Sequence, residues 1–269
     1  MSQPAVDMQN LVKTFGGGRS LFGRAASEVH AVRDVSLTLH RGETLGIVGE
    51  SGSGKSTLAR MLVGLERPTT GNMEIEGKPW AELASSGTRA FGRAIQYVFQ
   101  DPVASLNPRK TIGDILDVPL RLLCGYDGAG RARRKQELID AVQMPVDTLE
   151  RYPHEFSGGQ AQRIAIARAL AAEARILVLD EPVSALDVSV QAQVLLLLQQ
   201  LRDELGLSYL FISHDLSVVE SISDRVAVMY LGEVVETGPA AQLFAAPQHD
   251  YTRALIASAP RLTVSESPL

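Results

Sequence analysis

A single cysteine, Cys124, stands in a chain of 269 residues. One cysteine builds neither a disulfide framework nor a zinc cluster, and a reducing compartment suits it. Cys124 reads as a small apolar core residue. Aromatic residues make up only 5% of the chain, too few for the stacking platforms of single-strand binders. Positive charge is not in excess either. The net charge is −5, whereas nucleic-acid binders usually present a basic face. No stretch approaches about 18 uninterrupted apolar residues, so no membrane-spanning helix is expected. The opening MSQPAVDMQN lacks the apolar run of a signal peptide, Ser2 excludes myristoylation, and the closing SESPL holds no prenylation cysteine. His30, His40, His154 and His249 show no metal-ligand spacing. No internal repeat of about 20–50 residues is visible.

What is present is an ordinary globular balance, 45% hydrophobic and 21% charged. The length allows one large α/β domain or two small ones. Residues 7–15 and 28–39 read as strands, with Val35, Leu37 and Leu39 alternating as in a half-buried antiparallel strand. The glycine-rich connection Gly16–Ser27 between them reads as a mobile loop. Ile95–Phe99 reads as another strand. From Asp101 to about Gln160 prolines give way to helical segments. The basic run Arg131, Arg133, Arg134 and Lys135 there reads as a solvated helix face. Strands and helices then alternate. Ile176–Leu179 is a buried strand. Val188–Leu205 is a helix with Val190, Val194, Leu197, Leu198, Leu201 and Leu205 on one face. Leu210–Ile212 is a strand and Leu216–Ser223 a helix. Leu231-Gly232 joins Val226–Tyr230 and Glu233–Val235 as a hairpin. Such alternation predicts a mainly parallel sheet, with ligands at the carboxyl ends of its strands.

Three segments carry chemistry. The first is Gly49-Glu50-Ser51-Gly52-Ser53-Gly54-Lys55-Ser56-Thr57, which fits G-x-x-x-x-G-K-[ST]. Its glycines let backbone N–H groups turn toward an anion. A buried strand, Glu43–Val48, precedes it, and a helix over Lys55–Leu65 follows with the positive end of its dipole at the loop. Lys55 can reach the β- and γ-phosphates and the Ser56 hydroxyl can sit on Mg²⁺. The bland alternative is a glycine turn before an ordinary helix.

The second segment is Ile176–Glu181, a buried strand that ends in two carboxylates. Asp180 is placed to hold Mg²⁺ and Glu181 to polarise an attacking water. An acidic helix cap would look alike. The third is Phe156-Ser157-Gly158-Gly159-Gln160, a helix start suited to a second anion, or else a plain capped helix with a flexible entry. Gln100 and His214 each end a strand. A histidine there is a candidate γ-phosphate contact, the alternative being a structural role.

In this order the segments resemble the ATP-binding-cassette (ABC) ATPases, over nearly the whole chain. GESGSGKST is similar to their Walker A motif, ILVLDE to Walker B and FSGGQ to the LSGGQ signature, with Phe156 in place of leucine. Gln100 matches the Q-loop glutamine, Ser184-Ala185-Leu186-Asp187 the D-loop and His214 the switch histidine. Phe15, in VKTF, matches the aromatic that stacks on adenine. The resemblance implies a P-loop NTPase (RecA-like) core with a mainly parallel sheet, an N-terminal antiparallel β-subdomain and a helical subdomain inserted at about 101–160. The nucleotide-binding domain would span 1–240 and a C-terminal extension 241–269.

It further implies ATP and Mg²⁺ as ligands. Gly49, Ser51, Gly52, Ser53, Gly54, Lys55, Ser56, Thr57 and Asp180 would hold the nucleotide, and Ser56, Gln100 and Asp180 the metal. Glu181, His214 and Gln100 would act in catalysis. Ser157, Gly158, Gly159, Gln160 and Asp187 would serve the nucleotide of a second subunit, identical or paralogous. VFQDPVASLNPR, PHEFSGGQ and PQHDYTRAL narrow the resemblance to importers of oligopeptides, dipeptides, nickel and related solutes. The iron–sulfur cysteines that some members carry are absent. Two permease subunits, an extracytoplasmic solute-binding protein, and a place on the cytoplasmic face of the cell membrane are implied, with no nucleic acid. A nickel or opine-type importer is the alternative. A nucleic-acid-processing ABC protein, a subunit that binds ATP without hydrolysing it, and a P-loop kinase are the rival classes.

Overall fold

The computed structural model describes residues 3–16 and 28–258. The connection at residues 17–27, read above as a loop, lies outside them. Strands β1 (Val6–Phe15) and β2 (Val29–Leu39) pair antiparallel. Val35, Leu37 and Leu39 are buried, as their alternation required. Next come β3 (Thr44–Val48) and helix α1 (Lys55–Leu62), which stops short of the expected Leu65 because Gly64 turns left-handed. Then follow β4 (Thr70–Ile75), β5 (Lys78–Pro79), α2 (Trp80–Ser85) and α3 (Thr88–Ala94). None of these four elements was legible beforehand. β4 and β5 complete a four-stranded sheet in the order β2-β1-β4-β5. Only Met73 and Ile75 of β4 are buried, too short a pattern to read.

After β6 (Ile95–Val98) come α4 (Pro102–Ser105), α5 (Ile112–Pro119), a π turn at Leu120–Cys124 and α6 (Gly128–Ala141). Short 3₁₀ turns lead into α7 (Gly158–Leu170). The basic run does more than meet solvent. Arg131 and Lys135 reach Asp117 at 2.8 and 3.6 Å and tie α6 to α5, while Arg133 and Arg134 pair with Glu137 on α6 itself. Cys124 is half-buried with its thiol 3.5 Å from the Ala171 carbonyl. Burial pushes its pKa up, which suits a structural thiol.

The remainder alternates as expected: β7 (Ile176–Asp180), α8 (Val188–Leu205), β8 (Ser208–Ile212), α9 (Leu216–Ile222), β9 (Arg225–Tyr230), β10 (Glu233–Pro239), α10 (Ala240–Ala245) and α11 (Asp250–Ser258). The second sheet has the order β10-β9-β3-β8-β7-β6. Its strands run parallel except β10, which returns from β9 through the Leu231-Gly232 turn, both residues at positive φ. β3, β7 and β8 are buried at every residue, as parallel strands covered on both faces should be. Two apolar clusters cover the two faces. Leu177, Leu179, Tyr209 and Phe211 point to the one under α7 and α8. Ile176, Val178, Leu210 and Ile212 point to the one shared with α1 and the antiparallel sheet.

One expectation fails at the end of α8. Val194, Leu197, Leu198 and Leu201 are buried, but Leu205 is 46% exposed, because left-handed Gly206 ends the helix there. Stability should follow this split. Phe211→Ala, at a fully buried site, is expected to cost about 3–5 kcal/mol. Leu205→Ala should cost within about 0.5 kcal/mol. Urea unfolding midpoints compare the two, and equal losses would contradict the packing described.

Candidate active site

Parallel pairing brings the chemistry-bearing segments to one edge. Ile47 lies opposite Ile212, Ile212 opposite Asp180, and Leu179 opposite Val98. The strands therefore end in step. Gly49 follows β3, His214 follows β8, Glu181 follows β7 and Gln100 follows β6, with neighbouring strands about 4.8 Å apart.

The loop between β3 and α1 bends on its glycines. Gly54 has φ +103°, and a Cβ there would stand 2.2 Å from the Ala31 carbonyl of β2. Ser53 is buried and its carbonyl accepts from Gly232 N at 3.1 Å. Lys55 is buried as well. Its Nζ donates to Gly49 O at 2.7 Å, Glu50 O at 2.8 Å and Ser53 Oγ at 3.3 Å. Burial pulls the Lys55 pKa down, against the pull of Glu181, Asp180 and Glu50. Ser51 and Gly52 lie exposed at the tip of the loop, while Ser56 and Thr57 are half-buried in the first turn of α1.

Strand parity decides where Asp180 points. Ile176, Val178 and Asp180 share the face that carries α1. Ser56 Oγ accordingly donates to Asp180 Oδ1 at 3.2 Å. Tyr97, on the same face of β6, donates its hydroxyl to Asp180 Oδ2 at 2.5 Å. Burial and this hydrogen bond push the Tyr97 pKa far up, so the phenol stays a donor. Nothing in IQYVF marked Tyr97 as more than a strand residue. Only the register of β6 against β7 reveals it.

Glu181 breaks the alternation. Its φ is +49°, a left-handed value that costs a non-glycine residue about 1–2 kcal/mol. Glu181 N still continues the ladder to Ile212 O at 2.9 Å, and Ser184 N closes the turn on Glu181 O at 3.3 Å. The carboxylate meets two neighbours. Gln100 Nε2 donates to Glu181 Oε2 at 2.9 Å, and His214 Nδ1 lies 3.2 Å from the same oxygen.

The oxygen donors Ser56 and Asp180 form a hard pair that fits Mg²⁺. Gln100, also expected at the metal, is bonded to Glu181 instead of to that pair. Among the described residues no cluster of three or more His, Cys, Asp or Glu offers a separate metal site.

The other expected residues lie elsewhere. Ser157 caps α7 and accepts from Gln160 N at 3.4 Å, while Gln160 Oε1 accepts from Ser157 N at 3.0 Å. A Cβ on Gly159 would stand 2.3 Å from Val190 Cγ1, so the helix start packs tightly on α8. Asp187 caps α8, accepting from Val190 N at 3.0 Å and Ser189 Oγ at 2.7 Å, and these bonds hold its carboxyl below the usual range. This second cluster makes none of the described contacts with residues 49–57. Phe15 ends β1 opposite Val29, two residues along β2 from Ala31, which backs Gly54. It is 39% exposed, and Lys13 Nζ stands 4.7 Å from its ring centre.

The chain is similar to known proteins over most of its length. The sequence pattern of the family described as "ABC transporter" matches residues 32–184, and that described as "Oligopeptide/dipeptide transporter, C-terminal region" matches residues 235–268. A protein of Brucella abortus (strain 2308), whose name describes a peptide import ATP-binding protein, is 52% identical over 258 residues, covering 95% of this chain and 77% of its own. The dipeptide transport ATP-binding protein DppF of Haemophilus influenzae is 49% identical over 260 residues, 97% of this chain and 79% of its own. The dimeric, post-hydrolysis structure of the ATP-binding cassette MJ0796 bound to ADP and Pi superposes with a TM-score of 0.74 at 30% identity, covering 87% of this chain and 98% of that one.

Proposed function

This chain belongs to the ABC transporter family, and from that premise we propose that it is the ATP-hydrolysing subunit of a peptide importer. The observation that carries the mechanism is the row of strand ends, which joins Lys55, Ser56–Asp180 and Gln100–Glu181–His214 along one edge. In this reading the loop from Gly49 to Thr57 cradles the triphosphate, with Lys55 on the β- and γ-phosphates. Ser56 and Asp180 would hold Mg²⁺, which neutralises charge on the transferred phosphoryl group. Tyr97 fixes the second Asp180 oxygen. Glu181 orients a water and accepts its proton, His214 contacts the γ-phosphate, and Gln100 links that event to residues 101–156. Phe15 stacks on adenine.

The separation of Ser157–Gln160 and Asp187 from residues 49–57 supports a two-subunit arrangement. Each chain would lend its α7 start, with free N–H groups and positive dipole, to the nucleotide held by the other. A dimeric cassette among the solved relatives supports the same geometry. Permease subunits would dock beside the Gln100 loop. A cleft of about 530 Å³ opens there between Trp80, Phe91, Tyr97 and Phe99, and Val103, Val118 and Leu122 expose apolar surface on the helical region. Among the described residues no helix is long and apolar enough to cross a membrane, so the chain would bind at the membrane through those permeases. Peptide cargo rests on the names of the relatives and on the match over residues 235–268.

Two measurements test this reading. The purified chain should release phosphate from Mg-ATP. Vesicles that hold it with its permeases and solute-binding protein should take up labelled dipeptide only with ATP. Uptake of nickel in place of dipeptide would favour the alternative cargo, and hydrolysis stimulated by DNA would overturn the transport assignment.

A further inference from the structure

The segment Pro247-Gln248-His249-Asp250-Tyr251 has no part in the mechanism above, yet it is fixed at both ends. Glu236 in β10 accepts from Gln248 N at 2.8 Å and His249 N at 3.0 Å. Burial pushes the Glu236 carboxyl up, but its hydrogen bonds, these N–H groups among them, together outweigh it and hold its pKa below the usual range. His249 Nδ1 accepts from Tyr251 N at 3.1 Å as the chain enters α11. Leu255 and Ile256 then seat α11 on the main core. The Tyr251 ring lies on Tyr230, at the end of β9, with centres 4.1 Å apart. Its hydroxyl reaches the phosphate loop: Glu50 N donates to Tyr251 Oη at 3.1 Å, across 201 residues of sequence. On the other side of the same residue, Glu50 O accepts from Lys55 Nζ at 2.8 Å and Ser53 N at 3.2 Å.

We propose that Tyr251 is a positioning residue for the phosphate loop, and that α11 sets ATP affinity through it. A loop that must order its backbone on binding loses affinity to conformational entropy. An anchor at Glu50 moves that cost from binding into folding. The ring stack on Tyr230 and the Glu236 bonds hold the phenol rigid, so its hydroxyl is a fixed acceptor. The proposal rests on the reading of Gly49–Thr57 as the ATP site.

The test uses the full chain, with calorimetric Mg-ATP titration, steady-state hydrolysis and thermal melting on each variant. Tyr251→Phe keeps the ring stack and removes only the acceptor. It should weaken ATP binding and raise KM together by about 2- to 10-fold, the worth of one neutral hydrogen bond. kcat and the melting midpoint should stay at wild-type values. Tyr251→Ala should show the same loss of affinity and also a lower midpoint, since the stack is gone. A Tyr251→Phe chain whose ATP affinity equals or exceeds that of the wild type would overturn the positioning role. A wild-type chain that binds no ATP would overturn the reading of the loop, and the role with it.

Discussion

Glu181→Gln should bind ATP about as well as the wild type and lose phosphate release by about 10²–10⁴-fold, roughly 3–5 kcal/mol of transition-state stabilisation. The substitution is nearly isosteric. Glu181 Oε2 accepts from Gln100 Nε2 and lies 3.2 Å from His214 Nδ1, and the amide oxygen of glutamine can keep both contacts. The left-handed turn at residue 181 is held by backbone bonds that the side chain does not share. What disappears is the ability to take a proton from water. Binding should persist or tighten, because one negative charge near the phosphates is gone. Ligand-linked stabilisation measures this directly: saturating ATP, at about 100 times Kd, should stabilise variant and wild type alike by about 2.7 kcal/mol. A single-turnover assay then reads the chemical step. Turnover within threefold of the wild type would remove Glu181 from the role of base, and His214 would have to be tested in its place.

The parts of the site that could be read from the sequence share a physical origin. Ile176–Leu179 is an uninterrupted apolar run that two carboxylates follow, and a charge at the end of a fully buried strand has few reasons to be there but chemistry. The loop Gly49–Thr57 is legible because its glycines sit between a buried strand and a helix. The contacts that the sequence hid all join distant segments. Tyr97 meets Asp180 because β6 pairs with β7 in one particular register. Tyr251 meets Glu50 only after the chain has wound the whole sheet. The antiparallel edge at Thr70–Pro79 stayed hidden because so few of its residues are buried. Leu205 was misplaced by periodicity alone, which carries the apolar face of α8 one turn beyond the point where Gly206 ends it. Patterns of burial extend over a few residues, whereas register and long-range pairing are properties of the whole fold.

Lys55→Ala should remove nucleotide binding at its source. Lys55 is 6% exposed, and the three donors of its ammonium are all engaged by Gly49 O, Glu50 O and Ser53 Oγ. Burial lowers its pKa, which marks a cation short of solvation. Phosphate oxygens would supply that solvation better than loop carbonyls, because the resulting hydrogen bonds are charge-assisted at both ends. Without the cation, the charges of Glu181 and Glu50 beside the phosphates lose the ammonium that offsets them. Truncating one partner of such a buried pair costs about 2–5 kcal/mol, or about 30-fold to several thousand-fold in Kd. Alanine also removes the buried aliphatic stem of Lys55, so part of the loss could come from a loosened loop. Lys55→Met separates the two effects, since it keeps most of the stem while it drops the charge and its hydrogen bonds. If charge governs, both variants lose ATP to the same extent while their melting midpoints differ. Unchanged ATP affinity in Lys55→Met would mean that the triphosphate is held elsewhere, and the row of strand ends would need another ligand.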